Sequence, residues 1–212
     1  MKRLTRHIVL AAGSASVAVL AGIVAGNAGF LDGVSLATSW LCLLLLAAAL
    51  LVGPAHALRT GRPLANHLLR RDLGIWCALN GLVHLGIAFA ISMTPAYVGA
   101  FVDGAAGWPA PATRRLMYTW AVIGSLVVAA IFLLLLALSS NRAISLVGPA
   151  RWKRLQRASY PAFALTVAHG AAFQLIEARS AWLVTLLWAV ALLVLLSQAA
   201  GWRRVRAAVE RS

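Results

Sequence analysis

Apolar residues run along this chain in long blocks. They do not alternate with polar ones at the period of a strand, nor at that of an amphipathic surface helix. Six blocks approach the roughly twenty residues that cross a bilayer core as a helix: about 8–26, 36–57, 73–92, 118–138, 158–176 and 181–200. The pattern predicts an all-α integral membrane protein, a six-transmembrane-helix bundle that fills residues 1–212 as one domain. The fifth block is the least apolar, because it carries Pro161, His169 and Gln174. Polar side chains inside a span are costly, so those that persist mark sites.

Charge gives the bundle its expected direction. Of the 19 Lys and Arg, only Arg114, Arg115 and Arg179 fall on one side. The others cluster at the N-terminus (Lys2, Arg3, Arg6), at Arg59–Arg71, at Arg142–Arg157 and in the tail from Arg203 to Arg211. The positive-inside rule then places both termini and these loops in the cytoplasm. The first block has a basic start and small residues near its end, as a signal peptide has. Its apolar run is longer than the usual signal core, so a retained helix is expected.

Composition changes this picture little. With 62% hydrophobic residues, 11% charged and a mean hydropathy of +0.86, the lipid bilayer is the expected solvent. The net charge of +14 lies between apolar runs, where anionic headgroups account for it better than nucleic acid does. Cys42 and Cys77 fall inside apolar runs and read as small hydrophobes; no CxxC motif or disulfide framework is available to them. The connection "TPAYVGAFVDGAAGWPAPATRR" reads as an interfacial loop with Tyr97 and Trp108 at headgroup level. Neither a GxGxxG fingerprint nor a P-loop is present.

The chemistry concentrates on two histidines. His84 lies twelve residues past Asp72, and His169 twelve past Arg157. At about 1.5 Å per residue both sit roughly 18 Å into parallel spans, near mid-membrane. A lone imidazole there serves equally as a hydrogen-bonded contact between helices. Two at one depth suit the axial positions of a heme iron, with His84 and His169 as ligands. Zinc asks for further protein ligands, and the apolar surroundings supply none. Helical spacing groups Cys77, Asn80, Gly81 and Ala88 with His84, and Ala162, Thr166, Ala172 and Phe173 with His169. Asn80 and Thr166 are candidate supporting partners, and small residues such as Gly81 make room for a flat ring. His7 is expected at the headgroups, and His56 and His67 near the cytoplasmic boundary.

Several short pieces agree in order and spacing with one family. They are Arg70–Arg71 before the third span, "LGIWC", His84, "LSSN" ending the fourth span, "RWKRLQR", and Tyr160 ahead of His169. Residues 36–200 thereby resemble the ferric reductase-like transmembrane domain. Within it, the similarity is greatest to the short heme-binding membrane subunits of periplasmic methionine sulfoxide reductase systems. The resemblance implies a six-helix bundle that binds b-type heme and passes electrons across the membrane, with His84 and His169 on the outer-heme ligand positions. The chain departs from the family thirteen residues before His169, where "LQR" places Gln156 instead of a histidine. The facing position, fourteen residues before His84, is Arg70. One heme is therefore expected, with the inner position left for a flavin (FMN) or a quinone.

The leading expectation is an electron-transfer component without a nucleotide-binding catalytic domain. Its donor would be a cytoplasmic flavin reductase or quinol, docked on a surface that includes Arg70 and Arg71. Its acceptor would be a periplasmic reductase subunit or a ferric chelate. The alternative is a non-redox transporter or assembly factor on the same scaffold. Against transport, no paired carboxylates lie within the spans.

Overall fold

The computed structural model describes residues 3–26, 29–62, 68–104 and 109–210. His67, Trp108, Lys2 and Arg211, named above for their expected places, lie outside the described residues. Nine α-helices occur among the described residues, with no strand. They are α1 (Arg3–Ala25), α2 (Phe30–Thr60), α3 (Leu68–Ser92), α4 (Pro95–Tyr97), α5 (Pro111–Ala137), α6 (Asn141–Val147), α7 (Pro149–Leu155), α8 (Ser159–Ile176) and α9 (Ala181–Val209). Five of them, α1, α2, α3, α5 and α9, are long and apolar enough to cross a membrane. The protein is an all-α, multi-pass membrane protein. Helix α8 is 18 residues long and is not one of the five. Its Pro161, His169 and Gln174 dilute its apolar character, as the sequence foretold.

Most helices overrun the apolar blocks that announced them. Helix α2 extends from Phe30 to Thr60 and α9 on to Val209. Hydropathy marks the stretch that lipid tails will accept, whereas helical hydrogen bonding continues wherever the backbone is uninterrupted. The expected loop after α3 is also largely helical. Thr94 caps α4 by accepting from the Tyr97 amide at 3.2 Å, and a π-helical turn follows over Val98–Asp103. Arg114, expected only as a topological charge, is buried; it donates to the Pro109 carbonyl at 2.8 Å and reaches this turn at the Phe101 carbonyl, 3.4 Å away.

Helix α2 is apolar all round and therefore runs through the middle of the bundle, packed against α1, α3 and α9. The core joins Leu43, Leu46 and Leu50 of α2 to Phe132 of α5, Phe163 of α8 and Leu187 of α9. Outward faces stay apolar, as at Val24 and Leu195, which is the surface a lipid phase requires. Several hydroxyls within the spans fold back on their own helix: Thr38 donates to Val34 O at 2.8 Å and Ser125 to Val122 O at 2.7 Å. No polar group of theirs then faces hydrocarbon unpaired.

Proline at position 54 creates one exception to self-sufficient helices. Lacking an N–H, Pro54 leaves the Leu50 carbonyl without its partner four residues on. Gln198 of α9 donates its side-chain amide to that carbonyl at 2.9 Å. One turn further, Gly201 brings α9 against Pro54 so closely that a Cβ there would stand 2.9 Å from the Pro54 Cα.

Helix α1 is held differently. Few of its residues are buried. Its basic end is fastened to Asp72, which is fully buried. Arg3 and Arg6 reach the two carboxylate oxygens at 3.0 and 2.7 Å. His7, expected at the headgroups, instead accepts from the Trp76 indole at 3.0 Å and turns its other nitrogen towards Asp72 at 3.4 Å.

Candidate functional site

His84 on α3 and His169 on α8 face each other, with ring centroids 6.2 Å apart and planes at 79°. Each ring is anchored through Nδ1 to a backbone carbonyl of a third helix. His84 Nδ1 lies 2.9 Å from Ser35 O on α2, and His169 Nδ1 lies 3.2 Å from Ala121 O on α5. A carbonyl only accepts, so these contacts favour the tautomer with the proton on Nδ1 and the lone pair on Nε2; the Ser35 hydroxyl also stands 3.2 Å from His84 Nδ1. Metal-ligating histidines are prepared in this way, the outer nitrogen fixing both tautomer and ring direction. Two imidazoles sharing one metal through bonds of about 2 Å each would have centroids roughly 6 Å apart, which is the spacing found.

Both rings line a cavity enclosing about 1260 Å³ of space between atoms, part of it open to the outside. Gly81, Ala88, Ala129 and Gly170 supply small surfaces in its wall, and Thr166 and Phe173 also line it. Thr166 spends its hydroxyl on Ala162 O at 2.8 Å. Cys77, Asn80, Ala162 and Ala172, grouped with the histidines by helical spacing, do not line this cavity. Asn80 turns to α1, donating to Ser14 Oγ at 3.1 Å and to Trp76 O at 2.8 Å. The reason is angular. Residues 80 and 81 stand about 100° apart around a helix, one on each flank of His84, and α1 covers only the Asn80 flank.

The cavity's far end is polar. Tyr97, expected in the headgroups, is buried and donates to Glu177 at 2.7 Å, and Arg179 reaches the other carboxylate oxygen at 2.6 Å. Burial and then the Glu177 charge push the Tyr97 phenol well above its ordinary pKa, so it stays a neutral donor. Gln174 Oε1 is buried nearby with no hydrogen-bond partner. Nothing in the sequence announced this cluster beyond the polar residues at the end of α8.

A second cavity, enclosing about 1020 Å³ of space between atoms, part of it likewise open to the outside, gathers the other predicted residues. Arg70, Arg71 and Gln156 line it, with Lys153 and Arg157 from the basic connection. Arg70 donates to Ser159 Oγ at 3.2 Å and Arg71 to Asn141 Oδ1 at 2.7 Å. The Arg71 Nε–H is buried without an acceptor. His56 lines neither cavity.

Among the described residues, no group of three or more His, Cys, Asp or Glu side chains stands together as a metal site. The histidine pair therefore offers two donors and no more. That fits a metal that brings its own equatorial ligands, as a porphyrin iron does, better than a bare ion needing four protein ligands. No family model, curated protein or solved structure matches the chain.

Proposed function

We propose that the chain is a heme b-binding membrane electron-transfer protein. It takes electrons from a cytoplasmic flavin reductase or a quinol and passes them to a periplasmic acceptor, either a reductase subunit or a ferric chelate. The observation that carries this reading is the facing pair His84 and His169, each with Nδ1 spent on a carbonyl and Nε2 free. A b-type heme held there supplies one-electron exchange within the bilayer. The chain's own residues orient the two imidazoles, exclude water through the apolar wall, and hold a neutral phenol and a paired carboxylate at the cavity's far end.

The wider topology belongs to the same proposal. Helix α8 serves as a sixth span and both termini are cytoplasmic, as the distribution of arginines favours; the host membrane is a bacterial inner membrane, as the family resemblance implies. The second cavity, with Arg70, Arg71 and Gln156 in its wall, serves the donor side as a site for FMN or quinone. Arginine cannot ligate iron, and an amide is a poor ligand, so a second bis-histidine heme has no ligands there.

Absorption spectra of the purified protein, oxidised and then dithionite-reduced, test the proposal. The expected result is a low-spin b-type spectrum with about one heme per chain by pyridine hemochrome. A colourless preparation from heme-replete cells, with no Soret band on adding hemin, overturns it.

A further inference from the structure

The two cysteines, 35 positions apart on different helices, meet inside the bundle with Sγ atoms 3.8 Å apart. Both are free thiols, and both are buried. Their position is what distinguishes them. Cys42 of α2 lines the histidine cavity, and Cys77 of α3 lines the basic one. The pair thus bridges the walls of the two cavities, alongside Phe132, which lines both. Gly81 leaves the Cys42 sulfur room to turn, since a Cβ at that position would lie 3.0 Å from it. Forming an S–S bond of about 2.05 Å from this arrangement needs rotation about the two side-chain bonds and a small approach of the helices.

We propose that Cys42 and Cys77 form a reversible dithiol/disulfide centre between the two cavities, oxidised by a quinone in the basic one. In the oxidation both S–H bonds break and one S–S bond forms. The two electrons and two protons pass to the quinone, whose carbonyl oxygens become the hydroxyls of a quinol. Cys77 borders the basic cavity, so an oxidant seated there, such as a lipid-derived quinone, stands beside the pair. The orphaned Arg71 Nε–H supplies the matching polar contact, a donor without an acceptor in the wall that Cys77 shares. A quinone carbonyl is such an acceptor. Neither the pair nor its readout depends on what His84 and His169 hold.

The chain has only 2 cysteines, so intact mass after maleimide labelling counts the thiols without ambiguity. The full-length protein in detergent, first reduced and freed of reductant, is expected to take two labels when the maleimide is added after denaturation in SDS. After incubation with decylubiquinone under anaerobic conditions it is expected to take none, at a mass lower by two hydrogens, and dithiothreitol should restore both. Cys42→Ser and Cys77→Ser each keep one label throughout. Arg71→Gln should slow closure by decylubiquinone about ten-fold while leaving closure by diamide unchanged. Two labels retained by the wild type after quinone, or label loss through quinone adducts, overturns the proposal. Closure equally fast in Arg71→Gln overturns the placement of the quinone.

Discussion

The two cavities share one ring, that of Phe132, and are otherwise opposites. One presents two neutral imidazoles with free Nε2 atoms in an apolar wall. The other presents Arg70, Arg71, Lys153 and Arg157 around Gln156, none of which binds iron. The same helices, α3 and the α7–α8 stretch, build parts of both. The difference therefore lies in residue type at corresponding positions along them. A bundle of this kind sets the chemistry at each depth by which side chain occupies a helical turn, with little change to the backbone.

Removing a ligand breaks the comparison most severely. His84→Ala or His169→Ala should lower bound heme at least about ten-fold, or leave a five-coordinate, high-spin species. His7→Ala and His56→Ala, both away from the cavity, should keep the wild-type spectrum. The reverse experiment tries to make the two cavities alike. Arg70→His together with Gln156→His should raise heme from one towards two per chain, whereas Gln156→His alone should stay at one. Two hemes in the unaltered protein would refute the contrast itself.

Stability changes sharpen the comparison at smaller amplitude. Asp72→Asn removes the carboxylate that Arg3 and Arg6 share, and should destabilise the fold by about 2 kcal/mol, since the carboxylate is buried while its partners are half-exposed. Thermal unfolding in a fixed detergent measures it, and the heme spectrum should not move. Gly81→Ala puts a Cβ 2.8 Å from the Phe132 ring, at the junction of the cavities. About 1 kcal/mol of overpacking is expected, with an altered heme spectrum to distinguish it from Asp72→Asn.

Much of the architecture was readable from hydropathy, because lipid demands long apolar helices and leaves few alternatives. The meeting of the His84 and His169 rings was readable too, because equal residue counts from the basic ends of α3 and α8 suggested matching heights. What escaped depends on how helices rotate against each other, which a single sequence does not encode at residue resolution. Asn80 and Gly81 were indistinguishable by spacing, yet face different neighbours. The Cys42–Cys77 meeting needed the register of α2 against α3. The Ser35 and Ala121 anchors act through main-chain carbonyls, so no residue type could have announced them. Helices α6 and α7 were passed over as loop because they are short and polar, although Ser140 caps α6 by accepting from the Ala143 amide at 3.0 Å.

The bond from Gln198 to the Leu50 carbonyl makes two distant positions depend on each other's history. With Pro54 present, that carbonyl has no backbone donor, and Gln198→Leu should cost about 1 kcal/mol. With Pro54→Ala, the restored amide serves the carbonyl, and the same change at position 198 should cost much less. A double-mutant cycle on thermal stability should return a coupling energy of the order of 0.5–1 kcal/mol, and strict additivity would show that the bond carries no weight. In a drifting lineage the glutamine is then free to vary only after the proline has gone, so the order of substitution, and not only its outcome, is constrained by one missing N–H.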